Sequence, residues 1–320
     1  MLGMRARGRL VAFGFVLTVT RRRFAVALLL CVLACCAGVG FAPAHALPPA
    51  AIAGVAAAAP SQFGVELQGG GVVTGATNRR ILHFTFDDGP DPRTTPRLLD
   101  ELDRAGVKAT FFFSTSRFAD RAHRNAHAVD LAREVARRGH ALGSHGFDHQ
   151  RMARMKPPQQ RAQLDSSAAM FDKVFGTRTF LIRPPFGSRN AALDRMLADG
   201  KYVTVMWNIG MADWNARPAD QIESTFFRVL ARNERERGER GGVVLLHDTH
   251  EWSIEAFQRI AAAIARKNCE LLSAGEELYS IENTLSAWLA PPSDAVYAAR
   301  QAELRERTRA RCAAPDQAAR

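Results

Sequence analysis

Cysteine is scarce in this sequence, and its spacing excludes a cysteine-based metal site. The 320 residues contain five cysteines, three of which, Cys31, Cys35 and Cys36, lie in an N-terminal apolar segment. Cys269 and Cys312 remain, and neither has the spacing of a metal ligand. In an oxidising compartment these two could form a disulfide, and a buried free thiol at Cys269 is an equal alternative.

Two further absences narrow the class of protein. No basic stretch is interleaved with aromatic residues, which argues against nucleic-acid binding. No short repeat recurs along the chain, so a repeat architecture is not indicated.

The formal net charge of +11 is misleading, because six arginines lie within residues 1–46. The other 37 basic and 32 acidic residues give a net charge of +5, which a solvated surface accounts for.

Acidic residues are absent from residues 1–46, where six arginines precede an uncharged run at residues 24–41. With the A-x-A sequence at residues 44–46, this pattern predicts a secretory signal peptide cleaved after Ala46. An uncleaved membrane anchor is the main alternative, because 18 apolar residues are at the lower limit of spanning length. A lipoprotein signal ending at Cys35 matches poorly. We therefore expect an exported protein, periplasmic or secreted, that contacts the membrane only if this segment is retained.

The remaining sequence predicts one large domain between two flanking segments. Residues 47–79, rich in Ala, Gly and Pro, predict a flexible leader. The predicted strands are residues 81–86, 109–114, 141–144, 180–183, 202–207, 243–246 and 270–272. The predicted helices are residues 94–105, 128–138, 157–175, 190–199, 218–233 and 254–267. This alternation predicts an α/β fold over residues 80–285, a distorted parallel (β/α) barrel of about seven strands. Residues 286–320 form a basic C-terminal tail, expected to be a solvated helix or partly disordered.

Candidate catalytic residues follow the predicted strands, where parallel α/β folds place their active sites. Asp87 and Asp88 end the first run, and adjacent side chains at a strand end point in different directions. One carboxylate could bind a metal while the other transfers a proton, although Asp-Gly-Pro is also ordinary turn sequence. His145 and His149 are four residues apart, and one helical turn would place both imidazoles on one face. With Asp88 as a third ligand, they would bind a zinc-type ion and leave one position open.

Two more segments add a possible acid and an orienting cation. Arg183, before two prolines, could pair with Asp87 and hold it ionised. A carboxylate such as Asp213 would raise the pKa of His247 and orient its ring, which would make His247 a general acid. Each residue also has a structural alternative. Arg183 could be a surface arginine at a turn, His247 a hydrogen-bonded structural residue, and Trp214 a core residue.

In this order, the five segments resemble the polysaccharide deacetylases of carbohydrate esterase family four, the NodB-homology domain. The family's motifs correspond to residues 85–90, 145–149, 183–187, 213–214 and 245–247. The resemblance implies that Asp87 is the catalytic base and that Arg183 orients it. It implies a metal site formed by Asp88, His145 and His149. It also implies that His247 is the acid and is tuned by Asp213.

The same resemblance implies the substrate contacts. The Phe186 backbone N–H would help to hold the oxyanion, and Leu245 and Trp214 would line the acetyl pocket. Two positions depart from the family's usual pattern. Gly210 stands where the fourth motif often has Asp, which puts a secondary contact in doubt, and Phe186 replaces the commoner Tyr.

The activity that the resemblance implies is metal-dependent removal of N-acetyl groups from amino-sugar units of a polysaccharide, with release of acetate. Peptidoglycan, chitin-type polymers and poly-N-acetylglucosamine are the candidate substrates. One divalent ion is expected, Zn²⁺ first, with Co²⁺ or Ni²⁺ as alternatives. Two other functions stay open: an O-acetyl esterase acting on a xylan-like polymer, and a non-catalytic exported glycan-binding module. We expect a monomer.

Overall fold

The computed structural model describes residues 60–64, 69–119 and 126–313. The predicted signal peptide, residues 1–46, and the leader up to residue 59 lie outside the described residues. No helix within the described ranges is both long and apolar enough to cross a membrane.

The described chain alternates short strands with helices. The strands are β1 (Gly71–Val73), β2 (Ile81–Asp87), β3 (Thr110–Phe113), β4 (Ala141–Ser144), β5 (Leu181–Ile182), β6 (Val203–Val205), β7 (Ile209–Gly210), β8 (Gly242–His247) and β9 (Ser280–Ile281). The helices are α1 (Thr95–Ala105), α2 (Ala126–Arg137), α3 (Pro157–Phe175), α4 (Ala191–Asp199), α5 (Ala219–Arg237), α6 (Glu251–Ser273), α7 (Ser286–Leu289) and α8 (Asp294–Cys312).

All the named strands pair in parallel, in the order β1-β6-β5-β4-β3-β2-β8-β7, with β9 beside β2. This confirms the predicted distorted parallel (β/α) barrel. No pairing joins β1 to β7 in the described ranges, so the barrel is open there. Because the strands are parallel, their C-terminal ends meet at one edge, where loops can bring distant residues together.

The central strand β2 is buried on both faces, with Leu82, Phe84 and Phe86 on one face and the mainly polar His83, Thr85 and Asp87 on the other. All seven of its residues are buried. Phe84 and Phe86 pack against Phe257 of α6, with ring centroids 5.1 and 5.9 Å apart. A strand in the middle of a parallel sheet is expected to be covered on both faces in this way. The core therefore fixes the position of the two aspartates that follow Phe86.

Most predicted elements are present, but the predicted strand at residues 270–272 is wrong. That run lies within α6, which continues to Ser273. Residues 270–272, a glutamate followed by two leucines, are too few for periodicity to distinguish a helix from a strand. The strands β1, β7 and β9 were not predicted, since each has only two or three residues.

The leader predicted through residue 79 is wrong over its described part. Phe63 is buried, and its ring lies 5.3 Å from that of Phe175. Strand β1 pairs with β6, so residues 71–73 belong to the sheet. The folded domain therefore includes residues on the N-terminal side of the predicted boundary at residue 80.

The predicted boundary at residue 285 also divides packed structure. Leu285 is buried, and the Trp288 indole N–H donates to the Gly75 carbonyl at 2.9 Å. The C-terminal segment forms α8, in keeping with the helical alternative in the prediction. A disulfide between Cys269 and Cys312, with Cα atoms 5.9 Å apart, joins the end of α8 to α6.

Candidate active site

The predicted site residues converge at the C-terminal edge of the sheet. In the register of β2 and β8, Asp87 lies directly beside His247. Arg183 follows β5 and reaches Asp87 through a buried ion pair of 2.8 Å. His145 follows β4, which neighbours β5, and its Nε2 lies 3.8 Å from Asp87. Parallel pairing thus gathers residues that are up to 160 positions apart in the chain.

Asp88, His145 and His149 form a candidate metal centre, the only cluster of its kind in the described part of the chain. Their ligand atoms all lie within 4.8 Å of one another. Asp88 Oδ1 is 3.5 Å from His145 Nε2 and 3.0 Å from His149 Nε2. Zinc–ligand bonds of about 2.0–2.2 Å place tetrahedral ligands roughly 3.4 Å apart. The spacing of these three side chains therefore fits a divalent cation.

The donor set supports the same conclusion. Asp88 Oδ1 is buried and accepts no hydrogen bond, so it is an orphaned anionic atom facing two imidazoles. Burial works to raise the pKa of Asp88, but the approach of His149 and the charges of His145 and His247 hold it well below its usual range. The Nδ1–H of His145 donates to the Arg183 carbonyl at 2.7 Å, which leaves its Nε2 lone pair facing the cluster.

The two histidines do not lie on a helix, contrary to the prediction. Residues 145–149 form a loop after β4, and His149 has a left-handed backbone with φ of 59°. Asp88 also has a positive φ, of 79°. The imidazoles meet because loop conformation, rather than helical periodicity, turns His149 back toward Asp88.

Arg183 holds the carboxylate of Asp87 through a buried ion pair. The side chain of Arg183 is fully buried, and its Nη1 donates to Asp87 Oδ1 and to Thr85 Oγ1, both at 2.8 Å. Its Nε donates to the Val205 carbonyl at 2.8 Å, and its guanidinium lies 4.4 Å from the centre of the Phe112 ring. These contacts fix the plane of the guanidinium. Arg183 therefore holds Asp87 Oδ1 in place and makes no hydrogen bond to Oδ2.

Asp213 orients His247. Its Oδ1 accepts from His247 Nδ1–H at 3.0 Å, and its Oδ2 accepts from the His247 backbone N–H at 2.8 Å. Burial lowers the pKa of His247, but the hydrogen bond and charge of Asp213, with the charges of Asp87 and Asp88, together raise it to about 9. His247 is therefore a cation at neutral pH and can donate a proton.

The predicted substrate-contacting residues lie around this pair. Trp214 is 52% exposed and meets the His247 ring edge-on, with centroids 5.9 Å apart. Leu245 is buried two residues before His247, so both side chains lie on the same face of β8. Phe186 is 50% exposed, has φ of 61°, and its ring lies 4.6 Å from that of His149. The Phe186 amide N–H has no acceptor among the described residues.

Gly210, which stands where a related sequence often has Asp, faces the Trp207 indole. A Cβ added there would lie 2.9 Å from Trp207 Nε1. The indole therefore occupies the space that a side chain at residue 210 would need, and the chain fills this position with an aromatic group instead of a carboxylate.

Several supporting residues were not predicted. Ser253 Oγ donates to Asp213 Oδ2 at 2.7 Å, and the Trp252 indole N–H donates to the Asp213 carbonyl at 2.7 Å. Thr85 accepts from Arg183 and donates to the Val244 carbonyl at 2.7 Å. Thr85 belongs to the first motif, which was a usable signal. No local pattern indicated Ser253 or Trp252, because both reach Asp213 from the start of α6, about 40 residues along the chain.

The arrangement combines a candidate metal site, a carboxylate held by an arginine, and a histidine held by an aspartate. A family model described as polysaccharide deacetylase matches residues 74–205. A peptidoglycan-N-acetylglucosamine deacetylase of Bacillus cereus is 27% identical over 205 residues, which cover 62% of this chain and 69% of the relative. A second relative, PgdA of Listeria monocytogenes with the same activity in its name, is 30% identical over 63% of this chain and 39% of its own length.

A solved structure agrees with these sequence comparisons. The peptidoglycan deacetylase PdaC from Bacillus subtilis is 26% identical and superposes with a TM-score of 0.50, over 72% of this chain and 98% of that one. The family match at residues 74–205 includes three of the five site segments, those at residues 85–90, 145–149 and 183–187. Residues 74–205 therefore match the polysaccharide deacetylase family, and the chain is similar to deacetylases in both sequence and fold.

Proposed function

We propose that this protein hydrolyses N-acetyl groups on the amino-sugar units of a polysaccharide and releases acetate. The observation that carries the proposal is the position of Asp87. Its carboxylate lies between the candidate metal ligands and His247, and it is paired with Arg183. A base, an acid and a cation site thus surround one point at the edge of the sheet.

Asp88, His145 and His149 would hold one divalent cation, for which we propose Zn²⁺ because two imidazoles and one carboxylate are typical ligands of catalytic zinc. When bound, the cation would polarise the acetamide carbonyl and lower the pKa of water at the site. Asp87 takes the proton from the attacking water through Oδ2, the oxygen that Arg183 leaves free.

His247 supplies the proton for the leaving amine. Its Nδ1–H is engaged by Asp213, so Nε2–H is the proton available to the substrate. The amide N–H of Phe186, which has no acceptor in the described structure, would stabilise the negative charge on the acetyl oxygen. Trp214 and Leu245 would enclose the acetyl methyl group.

The names of the relatives direct the choice of polymer. Those compared above are peptidoglycan deacetylases. We therefore propose a polymer of N-acetylated amino sugars, with peptidoglycan as the first substrate to test and chitin-type and poly-N-acetylglucosamine oligomers beside it. The exposed Phe186 and Trp214 rings would provide sugar-binding surfaces on two sides of the centre.

We also propose that the enzyme acts outside the cytoplasm. The support is the N-terminal sequence, with its six arginines, apolar run and A-x-A site.

The deciding experiment measures acetate release from these substrates by the purified protein, before and after a chelator and after Zn²⁺ is added back. We expect loss of activity with the chelator and recovery with Zn²⁺. Acetylated xylan in the same assay tests the esterase alternative. No acetate from any N-acetylated substrate or from acetylated xylan, in protein that binds Zn²⁺, would instead support a glycan-binding module.

The metal site is tested separately by Asp88→Asn and by His149→Ala. Each should weaken Zn²⁺ binding, measured against a competing chelator. His127→Ala, a histidine outside the cluster, is the matched control and should bind Zn²⁺ as the wild type does.

A further inference from the structure

Asp248 is a buried carboxylate beside the active site to which the proposed reaction gives no role. It follows His247 at the end of β8, and its side chain has no exposed surface. Thr95 Oγ1 donates to Asp248 Oδ2 at 2.6 Å, while Oδ1 has no hydrogen-bond partner. Burial, with the charge of Asp88, raises the pKa of Asp248 to about 7 against the effects of Thr95 and Arg117. A group this costly to bury calls for an explanation.

Asp248 packs against the turn that connects β2 to α1 and contains the metal ligand Asp88. The Asp248 backbone N–H donates to the Asp87 carbonyl at 3.3 Å. A methyl group added to Gly89 would overlap the Asp248 carboxylate, so the two are in close contact. On the far side of the turn, Thr95 Oγ1 accepts the Asp91 N–H at 2.9 Å.

These contacts hold the chain before and after Asp88. Asp248 contacts the two neighbours of Asp88 in the chain, and Thr95 contacts the end of the turn. Asp88 has a φ of 79°, a left-handed conformation that an L-residue other than glycine adopts only when its surroundings impose it. In this conformation its Oδ1 lies 3.5 Å from His145 Nε2 and 3.0 Å from His149 Nε2. Groups that hold the turn therefore control the geometry of the metal ligand.

We propose that Asp248 and Thr95 form a positioning pair that holds the turn at residues 88–91 and so presents Asp88 to the metal. The inference rests on the proposed metal-dependent function and adds residues that touch neither substrate nor metal. The hydroxyl of Thr95 links the two sides, since it donates to Asp248 and accepts from Asp91.

The test compares Zn²⁺ affinity among variants of the purified protein, by competition with a chelator. Thr95→Val removes the hydroxyl and keeps the shape of the side chain, while Thr95→Ser keeps the hydroxyl. We expect Thr95→Val to weaken Zn²⁺ binding by about 10- to 100-fold, the usual effect of losing a group that supports a metal ligand. Thr95→Ser should stay within about threefold of the wild type, since it restores the link.

Thr94→Val is the matched control. Thr94 is also buried, but its hydroxyl has no hydrogen-bond partner, so its loss should leave Zn²⁺ affinity unchanged.

Asp248 is tested by two substitutions that separate hydrogen bonding from charge. Asp248→Asn keeps an oxygen that can accept from Thr95 and should preserve most Zn²⁺ affinity. Asp248→Ala removes the acceptor and should weaken binding as Thr95→Val does. The double variant Thr95→Val/Asp248→Ala should lose no more than the larger single loss, because the two residues act as one unit.

Two results would overturn the proposal: wild-type Zn²⁺ affinity in Thr95→Val, or equal losses in Asp248→Asn and Asp248→Ala. The second result would assign the effect to the charge of Asp248. Thermal unfolding of the metal-free proteins shows whether each variant is folded, and a purely structural role would lower the melting temperature with affinity unchanged. Zn²⁺ binding needs no substrate, so this test is decided even if the wild type releases no acetate.

Discussion

At the scale of single residues, Asp87 and Asp88 are adjacent in sequence but have different surroundings. Asp87 ends the extended strand β2 and is paired with Arg183. Asp88 has a left-handed backbone, which turns its carboxylate to His145 and His149. The change in backbone conformation between two neighbours is what separates a candidate base from a candidate metal ligand.

The division of labour predicts the behaviour of Asp87→Asn. The variant should bind Zn²⁺ nearly as well as the wild type, because Asp87 is not among the three clustered ligands. Its turnover should fall by about 10²- to 10⁴-fold, the usual loss when a general base is removed. Acetate release at saturating Zn²⁺, with metal content measured on the same sample, checks this. Near wild-type turnover in metal-loaded Asp87→Asn would show that another group is the base.

The pair of Asp213 and His247 predicts the alkaline side of the pH profile. His247 must be protonated to donate, and its pKa is raised to about 9, so kcat/KM should hold at neutral pH and fall as pH rises through that value. Asp213→Asn removes the negative charge that favours the imidazolium. The pKa of His247 should then drop, the alkaline limb should move to lower pH, and the maximum rate should decrease.

A double-mutant cycle with His247→Ala tests whether the two residues work together. The losses in kcat/KM should not add, because removing the acid makes its orienting carboxylate irrelevant. Trp214→Phe is a useful comparison, since it alters the neighbouring ring without changing the charge next to His247. An unmoved alkaline limb in Asp213→Asn, together with additive losses, would show that a different residue is the acid.

At the scale of elements, predictions from local sequence patterns failed where a helix and another kind of structure can share the same pattern. The interval between His145 and His149 suits a helix, yet these residues form a loop whose conformation depends on its neighbours. The short segment at residues 270–272 suits a strand, yet it lies at the end of a helix of 23 residues. Both cases show that an interval or a short run indicates a shared face without specifying the backbone that provides it.

The segment before residue 80 gives a stability prediction. Phe63 is 1% exposed and packs its ring against those of Phe171 and Phe175. Phe63→Ala should therefore lower the free energy of unfolding by about 3–5 kcal/mol, the usual range for a buried aromatic residue. Urea unfolding followed by circular dichroism measures this.

The control is Val72→Ala on β1, where the side chain is 44% exposed. It should change the unfolding free energy by no more than about 0.5 kcal/mol. Equal effects of the two substitutions would show that residues 60–64 contribute nothing particular to the core.

At the scale of the whole molecule, we predict export with removal of residues 1–46. The reason is the sequence of arginines, an apolar run and a cleavage site within that segment. N-terminal sequencing of protein recovered from its native compartment should begin at Leu47. A protein that begins at Met1 and sediments with membranes would show that the segment is a retained anchor.

The sequence by itself determined the class of fold and the identity of the main site residues. Alternating apolar runs and helical patterns were enough to predict a parallel α/β barrel, because each pattern depends on burial of one local face. Asp87, Asp88, Arg183 and His247 could be selected because functional groups at strand ends meet at one edge of a parallel sheet.

Only the tertiary structure decided which groups support those residues and how. Ser253 reaches Asp213, and Asp248 reaches the turn of Asp88, through contacts between segments distant in sequence. The tertiary structure also pairs Cys269 with Cys312 in a disulfide, a pairing that the sequence left open. Such contacts depend on how helices and strands pack in three dimensions, and no local period or spacing in the chain records that packing.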